Sequence, residues 1–197
     1  MKADNIIIKD EDGNSVEYSV GMEQSDSNSD FINQTIESLN YISSNGGKKH
    51  VKRLVNSERD YNVVESDKAN SFLPSAIGGT IKFNSTQVNE YLVESDDDFD
   101  QIEVVTAVTI LAHEIDHAAQ NEKYMAKGDR TGNYDKALDF QAAVGVPFRS
   151  KRADKEERRA IRGLERKIAN SLGQYRRKSH SEKAHDIYNS SGPLTEF

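Results

Sequence analysis

Apolar residues recur at helical spacing in three stretches of this chain. Ile32, Ile36, Leu39 and Ile42 lie three and four residues apart, which predicts a helix over 31–42 with Ser29 or Asp30 as its N-cap. Ser43-Ser-Asn-Gly-Gly47 ends it, and a second short helix is expected from about 48 to 55. Val104, Val108, Leu111, Ile115 and Ala118 form one apolar stripe, predicting a helix from about 102 to 122. Ile161, Leu164, Ile168 and Leu172 define a face of another helix over 153–172, closed by Gly173 at the C′ position. Residues 137–144 read equally as a short helix or a strand, and a last short helix is expected near 181–189.

Strand signals cluster in the N-terminal half. Asn5 to Lys9 is β-branched, Asp12-Gly13 is a hairpin turn signal, and Val16 to Val20 serves as the return strand. Tyr61 to Val64 and Gly79 to Asn84 read as two further strands. Residues 66–79 read mostly as loop, and 85–100 as an acidic connection. No internal repeat is present.

The chemistry sits on the third helix, in Thr106 to Gln120, which contains His113-Glu114-Ile-Asp116-His117. Residues four apart on a helix lie one turn apart on the same face, so two imidazoles can aim at one metal ion. Glu114 lies about 100° round the helix, beside the ion, where it can take the proton of an activated water. The apolar stripe centres roughly opposite the histidines. The helix is therefore expected to bury its back and turn His113 and His117 into a cleft.

Composition narrows the options. The chain has 197 residues, 35% of them hydrophobic, and no cysteine; mean hydropathy is -0.78. That is enough for one domain with a modest core. Without thiolates any metal is held by nitrogen and oxygen. The net charge of -7 argues against nucleic acid as main partner. Acidic residues gather at 94–103 and basic ones at 151–178; each run reads as a solvated face before it reads as a partner surface. No apolar run reaches the ~18 residues of a membrane span, and the N-terminus has no signal-peptide pattern.

A catalytic zinc site ordinarily has three protein ligands and an open position. Glutamine at 120 and lysine at 123 exclude a third histidine six residues after the second. A carboxylate from the later helix remains. Glu157 falls at the middle of that helix's apolar face, where an unpaired carboxylate is costly. Glu165 lies at the edge and Glu156 points well away. Glu157 is the expected third ligand, with Asp139 and Glu165 as fallbacks. An oxyanion donor is expected from Tyr175, Arg177, His180 or Tyr188.

Ile110-Leu-Ala-His-Glu-Ile-Asp-His-Ala-Ala119 resembles the zincin metallopeptidase signature with a glutamate third ligand. The run Glu156 to Gly173, followed by Arg177 and His180, resembles metallopeptidase effectors of bacterial secretion systems, such as type III effectors, and toxin domains at the C-termini of Rhs-type polymorphic toxins. The likeness covers about residues 31–180, with only the two helices specific. It implies a Zn2+-dependent endopeptidase acting on a protein substrate inside a target cell. His113, His117 and Glu157 would be ligands, Glu114 the general base, and Arg177 and His180 would line the site. A cognate immunity or inhibitor protein would be a partner, and delivery by a secretion system would place the chain outside its own cell. Asp116 departs from the pattern, which usually has an uncharged residue there. The resemblance leaves open whether Asp116 backs a ligand histidine or weakens the match.

The expected fold is α+β and zincin-like: a small mixed β-sheet packed on the His-Glu-x-x-His helix, with a mostly helical C-terminal part. Residues 1–30 would form an N-terminal hairpin and loop, 31–180 the metallopeptidase domain and 181–197 a tail. Two alternatives stand beside the endopeptidase. One is a zinc amidase or peptidase acting on cell-wall peptides. The other is a non-catalytic binding module that keeps a relic of the fold, against which an intact Glu114 argues.

Overall fold

The structure is a computed structural model that describes residues 5–67, 70–75, 77–93, 101–126, 151–174 and 183–188. It is α+β. Strands β1 (Ile6–Lys9) and β2 (Ser15–Tyr18) form the expected antiparallel hairpin, with Gly13 at φ +88° in its turn. Helix α1 (Asp30–Ile42) follows, with the Ser29 hydroxyl accepting from the Ile32 amide at 3.4 Å. A tight π turn over Ser43–Gly47 leads into α2 (Lys48–Val55). Gly46 has φ +106°, and a Cβ on Gly47 would sit 2.4 Å from the Ile42 side chain, so this turn takes glycine at both positions.

Strand β3 (Asp60–Glu65) pairs parallel with β1, and β5 (Gly78–Phe83) pairs parallel with β3. Strand β4 (Ser71–Ser75) pairs antiparallel with β5 at the edge, giving the order β2-β1-β3-β5-β4. The N-terminal hairpin is therefore continuous with the main sheet through pairs such as Ile6 with Tyr61. Alternation along each strand places Ile8, Val63, Ile81 and Phe72 in one buried row across the sheet.

A second, antiparallel sheet has the order β7-β6-β8, with β6 Gln87–Val93, β7 Gln101–Val105 and β8 Lys183–Tyr188. These strands correct three expectations. The connection expected over 85–100 contains β6. The residues expected to open the metal-site helix, 102–105, belong to β7. The helix expected near 181–189 is β8. Strands β6 and β8 pair with each other across the chain, and β7 pairs with β6 just before it; runs this short have too little helix propensity of their own to resist. Strand β4 departs from the loop reading of 66–79 because it pairs with β5, the strand that follows it; its Pro74 is tolerated on an edge.

Helix α3 (Ala107–Ala126) is the central element. Its first turn is closed by the Thr106 carbonyl, which accepts from the amides of Thr109 and Ile110. Val108, Leu111, Ile115 and Ala118 are fully buried, as expected. The helix packs against α1, α2, β4 and β5 and against the segment Ile161–Glu165. At its far end the buried carboxylate of Glu122 accepts from the Tyr61 hydroxyl at 2.9 Å and from Arg59 Nη1 at 3.0 Å, tying α3 to β3.

The helix expected over 153–172 is broken. It consists of α4 (Lys151–Ala160), a π turn over Ile161–Glu165 and α5 (Arg166–Ser171). The break is at Gly163 (φ -90°, ψ -112°). Gly173 does close the helix: it has φ +76°, and the Gln174 amide reaches back to the Ala169 carbonyl at 2.9 Å. No helix among the described residues is long and apolar enough to cross a membrane. Residues 137–144 lie outside the described residues.

Candidate metal centre

One turn of α3 separates His113 from His117, and their Nε2 atoms converge to 2.9 Å. Glu157, near the middle of α4, faces both. Its Oε2 is 3.2 Å from Nε2 of His113 and its Oε1 is 3.5 Å from Nε2 of His117. These three side chains form a group that could hold a metal ion. Three ligands at 2.0–2.1 Å from a tetrahedral zinc would stand about 3.3 Å apart, close to the separations found. The expected stripe opposite the histidines is buried, but the histidine side is covered too: His113 is 1% exposed. The Glu157 side chain, at 31%, is the open side of the group.

Glu165 does not join the three. Its Oε2 lies 2.6 Å from Nδ1 of His113, the other edge of the ring. A carboxylate there accepts a hydrogen bond from Nδ1–H, the tautomer whose Nε2 lone pair is directed at His117 and Glu157. Three acceptors facing one another repel unless a cation or a proton sits between them. The donor chemistry therefore fits a metal ion with nitrogen and oxygen ligands.

Glu156 is a correction. Expected to point away, it approaches the second edge of His117, with Oε1 3.6 Å from Nδ1. That nitrogen has no hydrogen-bond partner closer than this among the described residues. Neighbouring positions on a helix diverge by about 100°, but Glu156 and Glu157 reach opposite edges of the same imidazole. Arg159 grips Glu156, with Nη2 to Oε1 at 2.6 Å.

The electrostatics follow from this crowding. Burial works against a charged His117, but Glu156, Glu157 and Glu114 outweigh it and raise its pKa to about 10. Burial likewise opposes ionised Glu157, while hydrogen bonds to His113 and His117 hold its carboxyl far below the usual range. Glu156 is drawn down to about 2 against its own burial by His117 and Arg159. The field that favours a proton on His117 equally favours a divalent cation.

Glu114 is buried on α3 beside His113, and its charge is felt at His117. Asp116, the residue that departs from the zincin pattern, does not touch either histidine. It bonds Arg159 at 2.9 Å and His50 at 3.3 Å. Arg159 and His50 carried no signal in the sequence as site residues. Arg159 lies three residues after Glu156, a spacing that permits an ion pair; His50, on α2, had no mark at all. Tyr175, Arg177, His180 and Asp139 lie outside the described residues, and Tyr188 falls in β8.

Scans against known protein families, curated proteins and solved structures found no match to this chain.

Proposed function

We propose that this protein is a zinc-dependent metalloendopeptidase of zincin-like fold, acting on a protein substrate as a bacterial effector or toxin domain. The observation that carries the reading is the convergence of His113, His117 and Glu157, with Glu165 behind His113 and Glu114 beside it. His113, His117 and Glu157 would hold the ion. A zinc ion there supplies a Lewis acid that polarises a carbonyl and makes a water acidic enough to be deprotonated near neutral pH.

The rest is the work of side chains. Glu114 accepts the proton of the attacking water and returns it to the leaving amine. Glu165 retains the proton on Nδ1 of His113 and so keeps that ring in the ligating tautomer. The group is closed on the α3 side and open at Glu157, which leaves room for substrate on that side. Strand β4 is an edge of the sheet that packs on α3, and an extended peptide fits there as an added strand. The effector or toxin assignment rests on the resemblance of the two helices.

Zinc content of the purified protein, measured by mass spectrometry beside Glu157→Ala, tests the site. About one zinc per chain in wild type, and loss in the variant, is expected. Cleavage of a quenched fluorescent peptide library by wild type and not by Glu114→Gln tests the activity. A wild type that cannot be reconstituted with zinc, or a Glu114→Gln that cleaves equally well, sinks the reading.

A further inference from the structure

Asp116 is a buried charged side chain next to the site, and the chemistry above does not use it. It is 2% exposed. Its Oδ1 accepts from Arg159 Nη1 at 2.9 Å and lies 3.3 Å from Nε2 of His50. Its Oδ2 faces the Leu164 amide at 3.4 Å. One carboxylate on α3 thus contacts α2, α4 and the break between α4 and α5.

The break accommodates it. A Cβ on Gly163 would lie 2.7 Å from Oδ2, so glycine is what lets the π turn close on this carboxylate. On an unbroken helix Glu157 and Glu165 would be about 12 Å apart along the axis and about 80° apart around it. In the structure both reach the same imidazole, and the break lies between them. Arg159 completes the arrangement. It lies two residues after Glu157 and joins Asp116 to Glu156.

We propose that Asp116 is a positioning residue for the metal centre. Through Arg159 and the Gly163-Leu164 backbone it sets the placement of α4 against α3, and so delivers Glu157 to the two histidines. This rests on the metal reading above. The non-standard aspartate inside the His-Glu-x-x-His motif is then part of how the third ligand is placed. It acts through α4 and touches neither ion nor substrate.

The test compares Asp116→Asn, Arg159→Met and Glu157→Ala with wild type. Zinc affinity is read by chelator competition, and ligand number by the visible spectrum of the cobalt-substituted protein. Asp116→Asn and Arg159→Met are expected to bind zinc about 10- to 100-fold more weakly, with cobalt spectra that depart from that of the wild type. Arg159→Met guards against misfolding of the Asp116 variant, since Arg159 is partly exposed. Chemical unfolding of the metal-free proteins should show both variants folded. Binding within about twofold of wild type, with a wild-type cobalt spectrum in both variants while Glu157→Ala loses the ion, overturns the proposal and leaves the metal centre standing. No zinc on wild type overturns the metal centre and this inference together.

Discussion

The carboxylate of Glu165 stands 2.6 Å from Nδ1 of His113, on the ring edge opposite the one that meets His117 and Glu157. On the proposed metal reading it orients a ligand without being one. Glu165→Gln keeps an oxygen for the Nδ1 proton but removes the charge. It is expected to weaken zinc binding about tenfold, and Glu165→Ala toward 100-fold. Chelator competition measures both. Unchanged affinity in Glu165→Ala would mean that His113 is held by packing alone.

Glu114, next to His113 in sequence and buried, is outside the group that could hold an ion. Glu114→Gln is expected to keep its zinc and to lose cleavage by a factor of about 10² to 10⁴. Parallel metal analysis and peptide assay separate the two effects.

Metal binding should release a proton. His117 in the metal-free protein has a pKa near 10 and is protonated at neutral pH, whereas a metal needs its lone pair. Titration calorimetry in buffers of different ionisation enthalpy should show at least one proton released per zinc at pH 7.5. Affinity should rise with pH up to about 10. A binding enthalpy independent of buffer would contradict this.

The metal-free protein should have a bounded pH range of greatest stability. His117 is raised from 6.5 to about 10, so its contribution is complete below about 6.5 and is lost as pH climbs toward 10. Glu156 is lowered from 4.5 to about 2, so its contribution is complete above about 4.5 and is lost as pH falls toward 2. Glu157 acts in the same direction as Glu156. Urea midpoints in EDTA should therefore be highest between about pH 4.5 and 6.5 and decline on both sides.

The far end of α3 offers a control. Tyr61 donates to the buried Glu122 at 2.9 Å. Tyr61→Phe removes one hydrogen bond to a charged group and should cost about 1.5–3 kcal/mol of stability while leaving zinc affinity unchanged. Urea denaturation and chelator competition on the same preparation check it.

Much of the centre was legible because it is local. The spacing of His113 and His117 is a property of a single helix, and so is the ring of charge that Glu114 adds. Glu157 stood out as a carboxylate at the middle of an apolar face, and it does face the histidines, although the helix that defined that face is broken at Gly163. Glu156 was misjudged by the same rule. Angular position on a helix says where a Cβ points, not how far a glutamate side chain reaches round an imidazole.

By itself the sequence determined the N-terminal hairpin, α1 and α2, the Gly173 closure and the pairing of two histidines on one turn. All of these are decided within a few residues, where periodicity, turn chemistry and backbone hydrogen bonds act. Tertiary structure alone decided the pairing of β6 with β8, strands from opposite halves of the chain. It alone decided that Glu165 backs His113 from 52 residues away, and that Asp116 meets Arg159 from 43. Such contacts leave no periodic trace, because a buried charge needs only one partner of opposite character, and any distant segment can bring it.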